Sequence, residues 1–146
     1  AYRQTGGVER LFCSWRCAGR ARRAQFGEPI IRRLRFEMEL IELMSRNGWR
    51  CSRPTNGRGP YDVVARKGLA TRQIQVKSTS NKRTNTFLGY CRRAVRDLCR
   101  LRRRHRITRW LSIREDNGQW TDIRVDGWPT ASAVLNKRLR TALYAI

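Results

Sequence analysis

Apolar positions recur at helical spacing over residues 30–47. Leu34, Met38, Ile41 and Met44 stand four, three and three apart, and Leu40 and Leu43 widen the stripe. Asn47-Gly48 is a helix stop. Residues 49–53 then have the pattern of a short strand closed by Pro54, followed by a loop over 55–60 with two glycines. Residues 61–66 (Val63, Val64, Ala65) form a second expected strand, Lys67-Gly68 a turn, and residues 71–79 a third strand. The stretch 81–85 is polar and loop-like. Residues 90–104 are again helical, with Cys91, Val95 and Leu98 on one side and many arginines on the other. Two more strands, 107–113 and 120–125, are joined by an Asn117-Gly118 turn. Trp128-Pro129 opens a last short helix over about 130–139.

The order is therefore helix, three strands, helix, two strands, helix. A helix between the third and fourth strands implies a crossover, hence an α/β chain with a mixed sheet of about five strands and helices packed on it. Residues 1–29 differ in character. They carry Gly6, Gly7, Gly19 and Gly27, an arginine-rich stretch from Arg16 to Arg23, and Pro29 as a stop, the composition of a basic arm. The division expected is an arm at 1–29, a core at 30–128 and a C-terminal helix at 129–146. A chain of 146 residues is long enough to bury a core without a metal or disulfide staple.

Charge narrows the function. Thirty-three Lys and Arg face eleven Asp and Glu, a net +22, which favours a polyanionic partner because neutralised phosphates release condensed counterions. All but Lys67, Lys77, Lys82 and Lys137 of the basic residues are arginines, whose planar fork suits phosphate. There is no apolar run long enough to span a membrane and no apolar core of a signal peptide. Five scattered cysteines suit free thiols in a reducing compartment, so a cytoplasmic or nucleoid-associated protein is expected.

Three positions attract attention together. On a helical wheel of about 100° per residue, Glu37 falls between Met44 and Ile41, inside the apolar arc, whereas Glu39 and Glu42 fall on the polar side. A carboxylate facing a core needs a cation or a metal. In the third strand, alternation puts Gln73, Gln75, Lys77 and Thr79 on one face. Asp62 begins the preceding strand beside a glycine-containing loop, where an Asp either caps the loop or binds a metal.

The stretch from Glu37 to Lys77, with Tyr61-Asp62-Val63-Val64 and Ile74-Gln75-Val76-Lys77-Ser78-Thr79, resembles the PD-(D/E)XK nuclease superfamily. It is similar in spacing to archaeal Holliday-junction resolvases, and more so to the group I intron-encoded homing endonucleases that carry a Gln-x-Lys motif. The resemblance implies a restriction-endonuclease-like αβββαββ core and Mg²⁺-dependent hydrolysis of DNA phosphodiesters, with Mn²⁺ able to substitute. It assigns catalysis to Glu37, Asp62, Gln75 and Lys77, and metal binding to Glu37, Asp62 and the Val76 carbonyl. Lys77 would orient the attacking water and neutralise charge on the phosphorane. Gln75 in place of an acid removes one negative charge and leaves the number of metals open. Two cuts in a duplex need two sites, so a homodimer or higher homo-oligomer on double-stranded DNA is implied.

Other features fit around this reading. Arg20, Arg22 and Arg23 in the arm, Lys82 and Arg83, and Arg102, Arg103 and Arg104 are candidate DNA contacts; the last group also suits a solvated helix end. Cys13 and Cys17 look like half of a zinc knuckle, but zinc wants four ligands; either a second pair lies upstream of Ala1 or these are ordinary thiols. Tyr90 and Thr79 are candidate substrate hydrogen-bonders, and the tryptophans suit core or sheet-face positions. Two rivals share the composition: a junction-resolving nuclease, and a basic nucleic-acid-binding protein without catalysis.

Overall fold

The computed structural model describes residues 2–3, 11–12, 32–54 and 59–144, and the chain divides into two compact units, Ala1–Arg35 and Phe36–Ile146. In the first unit, strands β1 (Tyr2–Arg3) and β2 (Leu11–Phe12) pair antiparallel, Tyr2 with Phe12 and Arg3 with Leu11. The segment expected as an irregular arm thus holds a small strand pair, built where aromatic and aliphatic residues with strand preference interrupt the glycines and arginines. Cys13, Cys17, Trp15, Arg20, Arg22 and Arg23 lie outside the described residues.

Helix α1 covers residues 32–46. It ends where the Asn47 and Gly48 N–H groups donate to the Met44 and Ser45 carbonyls, with Gly48 at φ +83°, the left-handed conformation a glycine takes without strain. Its buried face is Phe36, Glu37, Leu40 and Met44, whereas Leu34, Met38 and Leu43 are exposed. The stripe is rotated from the one read in the sequence because Phe36, the bulkiest apolar residue of the helix, sets the centre of the contact.

The sheet of the second unit runs β3 (Arg50–Ser52), β4 (Val63–Lys67), β5 (Ala70–Thr79), β6 (Ile107–Glu115) and β7 (Trp120–Arg124), in that spatial order. β3–β4, β4–β5 and β6–β7 are antiparallel; β5–β6 is parallel, with Lys77 opposite Ile113. This is the mixed five-stranded α/β sheet flanked by helices that the pattern implied.

Helix α2 (Asn85–Arg100) makes the crossover. It starts earlier than the pattern suggested because Thr84 caps it, its side chain accepting from the Phe87 N–H at 3.2 Å. It also stops earlier: Leu101 is extended. The guanidinium of buried Arg109 donates to the Leu101 and Arg102 carbonyls, each at 2.6 Å, supplying the donors that a helix C-terminus lacks. Arg102, Arg103 and Arg104 therefore sit in an exposed connection, not on a helix end. Helix α3 (Ser132–Tyr144) runs past its expected end because Leu135, Leu139 and Leu143, each four apart, all bury against α2 and the sheet.

The sheet's two faces carry separate cores. Leu111, Ile113, Ile123 and Val125 pack beneath α2 and α3, and Val63, Ala65, Ile74 and Val76 pack beneath α1. Among the described residues no helix is long and apolar enough to cross a membrane.

Candidate active site

β5 is the strand that organises the site, since its alternation sends Ile74 and Val76 into the α1-side core while Gln75 and Lys77 face the α2 side, opposite Leu111 and Ile113. β4 begins at Val63 and leaves the far half of β5 without a neighbour on that edge. Asp62 stands at that gap. Its N–H donates to the Ile74 carbonyl at 2.8 Å while Val63 is the register partner of Ile74. Two residues of one strand oppose one of the other, a bulge that re-aims the Asp62 side chain.

The re-aimed carboxylate takes over where β4 is missing. Asp62 Oδ2 accepts from the Val76 N–H at 2.9 Å and from Gln75 Nε2 at 2.6 Å. Asp62 and Gln75 are both buried, so these charge-assisted bonds satisfy a carboxylate that burial alone would penalise. Because backbone groups on a strand alternate in direction, the Val76 carbonyl points to the same side as its N–H, towards Asp62. Asp62, Gln75 and the Val76 backbone are thus joined into one unit.

Lys77 lies two residues beyond Gln75 on the same face, about 7 Å along the strand. Its charge lies near the thiol of fully buried Cys91 on α2. Burial pushes that thiol up to about 12, and Lys77 only partly opposes it. The lysine stem thus rises from an apolar floor of neutral thiol and aliphatic carbon.

Glu37 is 3% exposed, and Arg53 Nε donates to its Oε2 at 2.8 Å. The sequence left open whether a cation or a metal would answer this carboxylate; here the cation Arg53 does. Arg53 follows β3 one residue past Ser52, which pairs with Val64, so it stands at the same end of the sheet as Asp62. No feature of the sequence marks Arg53; only the need of a buried Glu37 for a counter-charge pointed to some arginine.

The oxygen donors at this end of the sheet, the Asp62 carboxylate, the Gln75 amide and the Val76 carbonyl, with the Glu37 carboxylate on the α1 face, are the hard ligands Mg²⁺ accepts. That ion keeps several waters and needs only one or two carboxylates. The set contains no third acid, and among the described residues no cluster of three or more His, Cys, Asp and Glu is placed to hold a metal. The donor set therefore fits a lightly chelated Mg²⁺ and does not fit a closed site for zinc.

The candidate DNA contacts divide. Arg83, Arg102, Arg103 and Arg104 are exposed. Lys82 is drawn inward instead: its Nζ donates to Thr121 Oγ1 at 3.1 Å and lies 3.4 Å from Glu115 Oε2, which ties the α2 entry to β6 and β7. Tyr90 is exposed on α2. Trp49 and Trp110 sandwich the Arg72 guanidinium at 4.4 and 4.3 Å, the sheet-face role expected of them.

No family model matches the chain, and no curated protein matches its sequence. Among solved structures the chain is similar to Hjc, a Holliday junction resolvase from the archaeal hyperthermophile Archaeoglobus fulgidus. The identity is 16%, the TM-score is 0.45, and the match covers 64% of this chain and 73% of that one.

Proposed function

We propose that this chain is a metal-dependent DNA endonuclease of the PD-(D/E)XK type, with Asp62, Gln75, Lys77 and Glu37 as its working residues. One observation carries the reading: the Asp62 carboxylate is locked by Gln75 and the Val76 N–H at the open end of β4, with Lys77 on the same face of β5. A structural Asp cap explains the bond to Val76. It gives no reason to bury a second carboxylate, Glu37, at the same end of the sheet, or to put a lysine on the Gln75 face of β5.

Asp62, the Gln75 amide oxygen, the Val76 carbonyl and Glu37 would hold Mg²⁺, with Mn²⁺ as a substitute. Bound there, the ion would supply Lewis acidity and a water of lowered pKa. Lys77 adds positive charge where it develops on the transferred phosphoryl group without competing for metal. Gln75 holds Asp62 in place through its Nε2. The net +22 charge draws the polyanion. We further propose a site-specific, homing-type enzyme that acts as a homodimer or higher oligomer, since one chain carries one such site and a double-strand cut needs two. The free thiols of Cys51, Cys91 and Cys99 support a reducing compartment.

The test is incubation with supercoiled plasmid, four-way junctions and a random-site library, in Mg²⁺ or in EDTA. Cleavage is expected in Mg²⁺ alone, with a fall of about a thousandfold in Lys77→Ala and Asp62→Ala and retention of DNA binding. Selective cutting of junctions of any sequence would assign the reaction to junction resolution. Nucleic-acid binding with no Mg²⁺-dependent cutting by the wild-type protein would overturn the enzyme reading.

A further inference from the structure

A second basic feature lies at the other end of the sheet from Asp62. The connection from α2 to β6 brings Arg103, Arg104, His105 and Arg106 against Arg124 and Asp126 from the end of β7, around a cavity of about 450 Å³. Four arginines and one aspartate thus line it. The aspartate carboxylate is already engaged, accepting from Arg124 Nε at 2.8 Å and from the Arg109 N–H at 3.2 Å. The concavity is positive and is made by two segments distant in sequence.

One backbone feature shows that an arginine is placed there at a cost. Arg106 has φ +66°, a conformation that costs a residue with a Cβ about 1–2 kcal/mol. The turn is held by Thr71 N–H donating to the Arg106 carbonyl at 2.9 Å and Ile107 N–H donating to the Arg104 carbonyl at 3.3 Å. Glycine would sit there without strain. Gly127, φ +70°, lies beneath the Arg103 guanidinium. An ordinary solvated arginine run does not require the strained Arg106.

The spacing to the active site is set by β6. Ile113 is opposite Lys77 and Ile107 adjoins the cavity; the six residue steps from one to the other span about 20 Å. For a duplex laid along β6, rising 3.4 Å per base pair, this would be about six base pairs. We infer that the cavity is a distal phosphate site that grips the DNA backbone about six base pairs from the reacting phosphate, so that the substrate is a duplex with an arm of at least that length on one side of the cut. The inference rests on the nuclease reading for its register. The phosphate grip itself does not.

The experiment measures binding in EDTA, where no cleavage intervenes, to a short DNA duplex (a hairpin with a stem of about 4 base pairs) and a blunt duplex of about 24 base pairs across a salt series. Wild type is compared with Arg104→Gln and Arg106→Gly; the second also relieves the strained backbone, so its melting temperature is expected to hold or rise. On the long duplex each variant is expected to lose about one unit of salt slope, the share of one phosphate, and about tenfold in affinity at low salt. On the short duplex both are expected to match wild type. Equal slopes on the long duplex, or the same loss at both lengths, overturn the proposal. Mg²⁺-dependent cleavage by wild type is followed in parallel. Lost slopes without any cleavage keep the phosphate grip and fail the nuclease reading, whereas cleavage with unchanged slopes fails the cavity alone.

Discussion

The two faces of the sheet are built differently. Beneath α2 and α3 the core is aliphatic and thick, with thirteen buried residues running from Phe87 to Leu143. Beneath α1 seven of the described residues are buried, and cations are laid on rings there: Arg72 between Trp49 and Trp110, and Arg114 at 4.5 Å from the Phe36 ring. Arg114 also donates to both oxygens of Glu39 at 3.0 Å, tying α1 to β6. Gln75 and Lys77 stand on the thick side and Glu37 on the thin one. The strand half of the site is therefore anchored in a deep aliphatic core, and the helical half rests on a shallower layer stiffened by arginines.

Truncation tests this difference. Leu98, fully buried under α2, is expected to cost about 4 kcal/mol as Leu98→Ala, because a closed core relaxes little around the cavity. Leu40→Ala on the thin face is expected to cost about 2–3 kcal/mol, since a layer bounded by flexible arginine stems can settle into the space. Urea unfolding of the two variants gives both numbers; equal costs would erase the distinction between the faces. A smaller effect sharpens the same point. Arg114→Met should cost about 1 kcal/mol, and a double-mutant cycle with Glu39→Gln should assign a coupling of that order or less to a pair that is only partly buried.

Much of this was legible beforehand, and what escaped has a common cause. The alternation of β5 and the position of Asp62 before an apolar run depend on local spacing, so both were readable. Glu37 was found inside the buried arc even though the arc was misplaced. Leu34, Met38 and Leu43, counted as core, are exposed, and Phe36, not counted, is buried, because only the shape of the opposing sheet decides which apolar residues of a broad stripe win contact. Interactions distant in sequence were unreadable: Arg53 with Glu37, Lys82 with Glu115, and Arg109 closing the end of α2. In a chain with 33 basic residues an arginine carries no mark of whether it meets a phosphate, a carboxylate or a helix end. Lys82 shows the consequence, a candidate DNA contact that the fold uses as an internal tie.

The smallest expected effect concerns pH and separates the faces without touching the site's polar residues. Cys91, on the thick side, has its thiol pushed up to about 12 by burial, from an ordinary value of 9.0. Cys51, on the thin side, is raised too but is only partly buried. A thiol that holds its proton more tightly when folded contributes stability that is fully present below the unfolded value. That contribution is lost as pH rises from there through the folded value, because the unfolded chain is then the one that gives up its proton. Stability should therefore decline above about pH 9, and Cys91→Ala should flatten that decline more than Cys51→Ala does, whatever each costs at neutral pH. Urea midpoints at intervals from pH 7 to pH 10.5 measure the slopes. Mass-resolved alkylation at pH 8 supplies a second reading, since the protonated, enclosed Cys91 thiol should label more slowly than Cys51. Identical slopes and identical labelling rates would mean that the floor under Lys77 is as open as the opposite face, and the thick core would then not be what holds the strand half of the site.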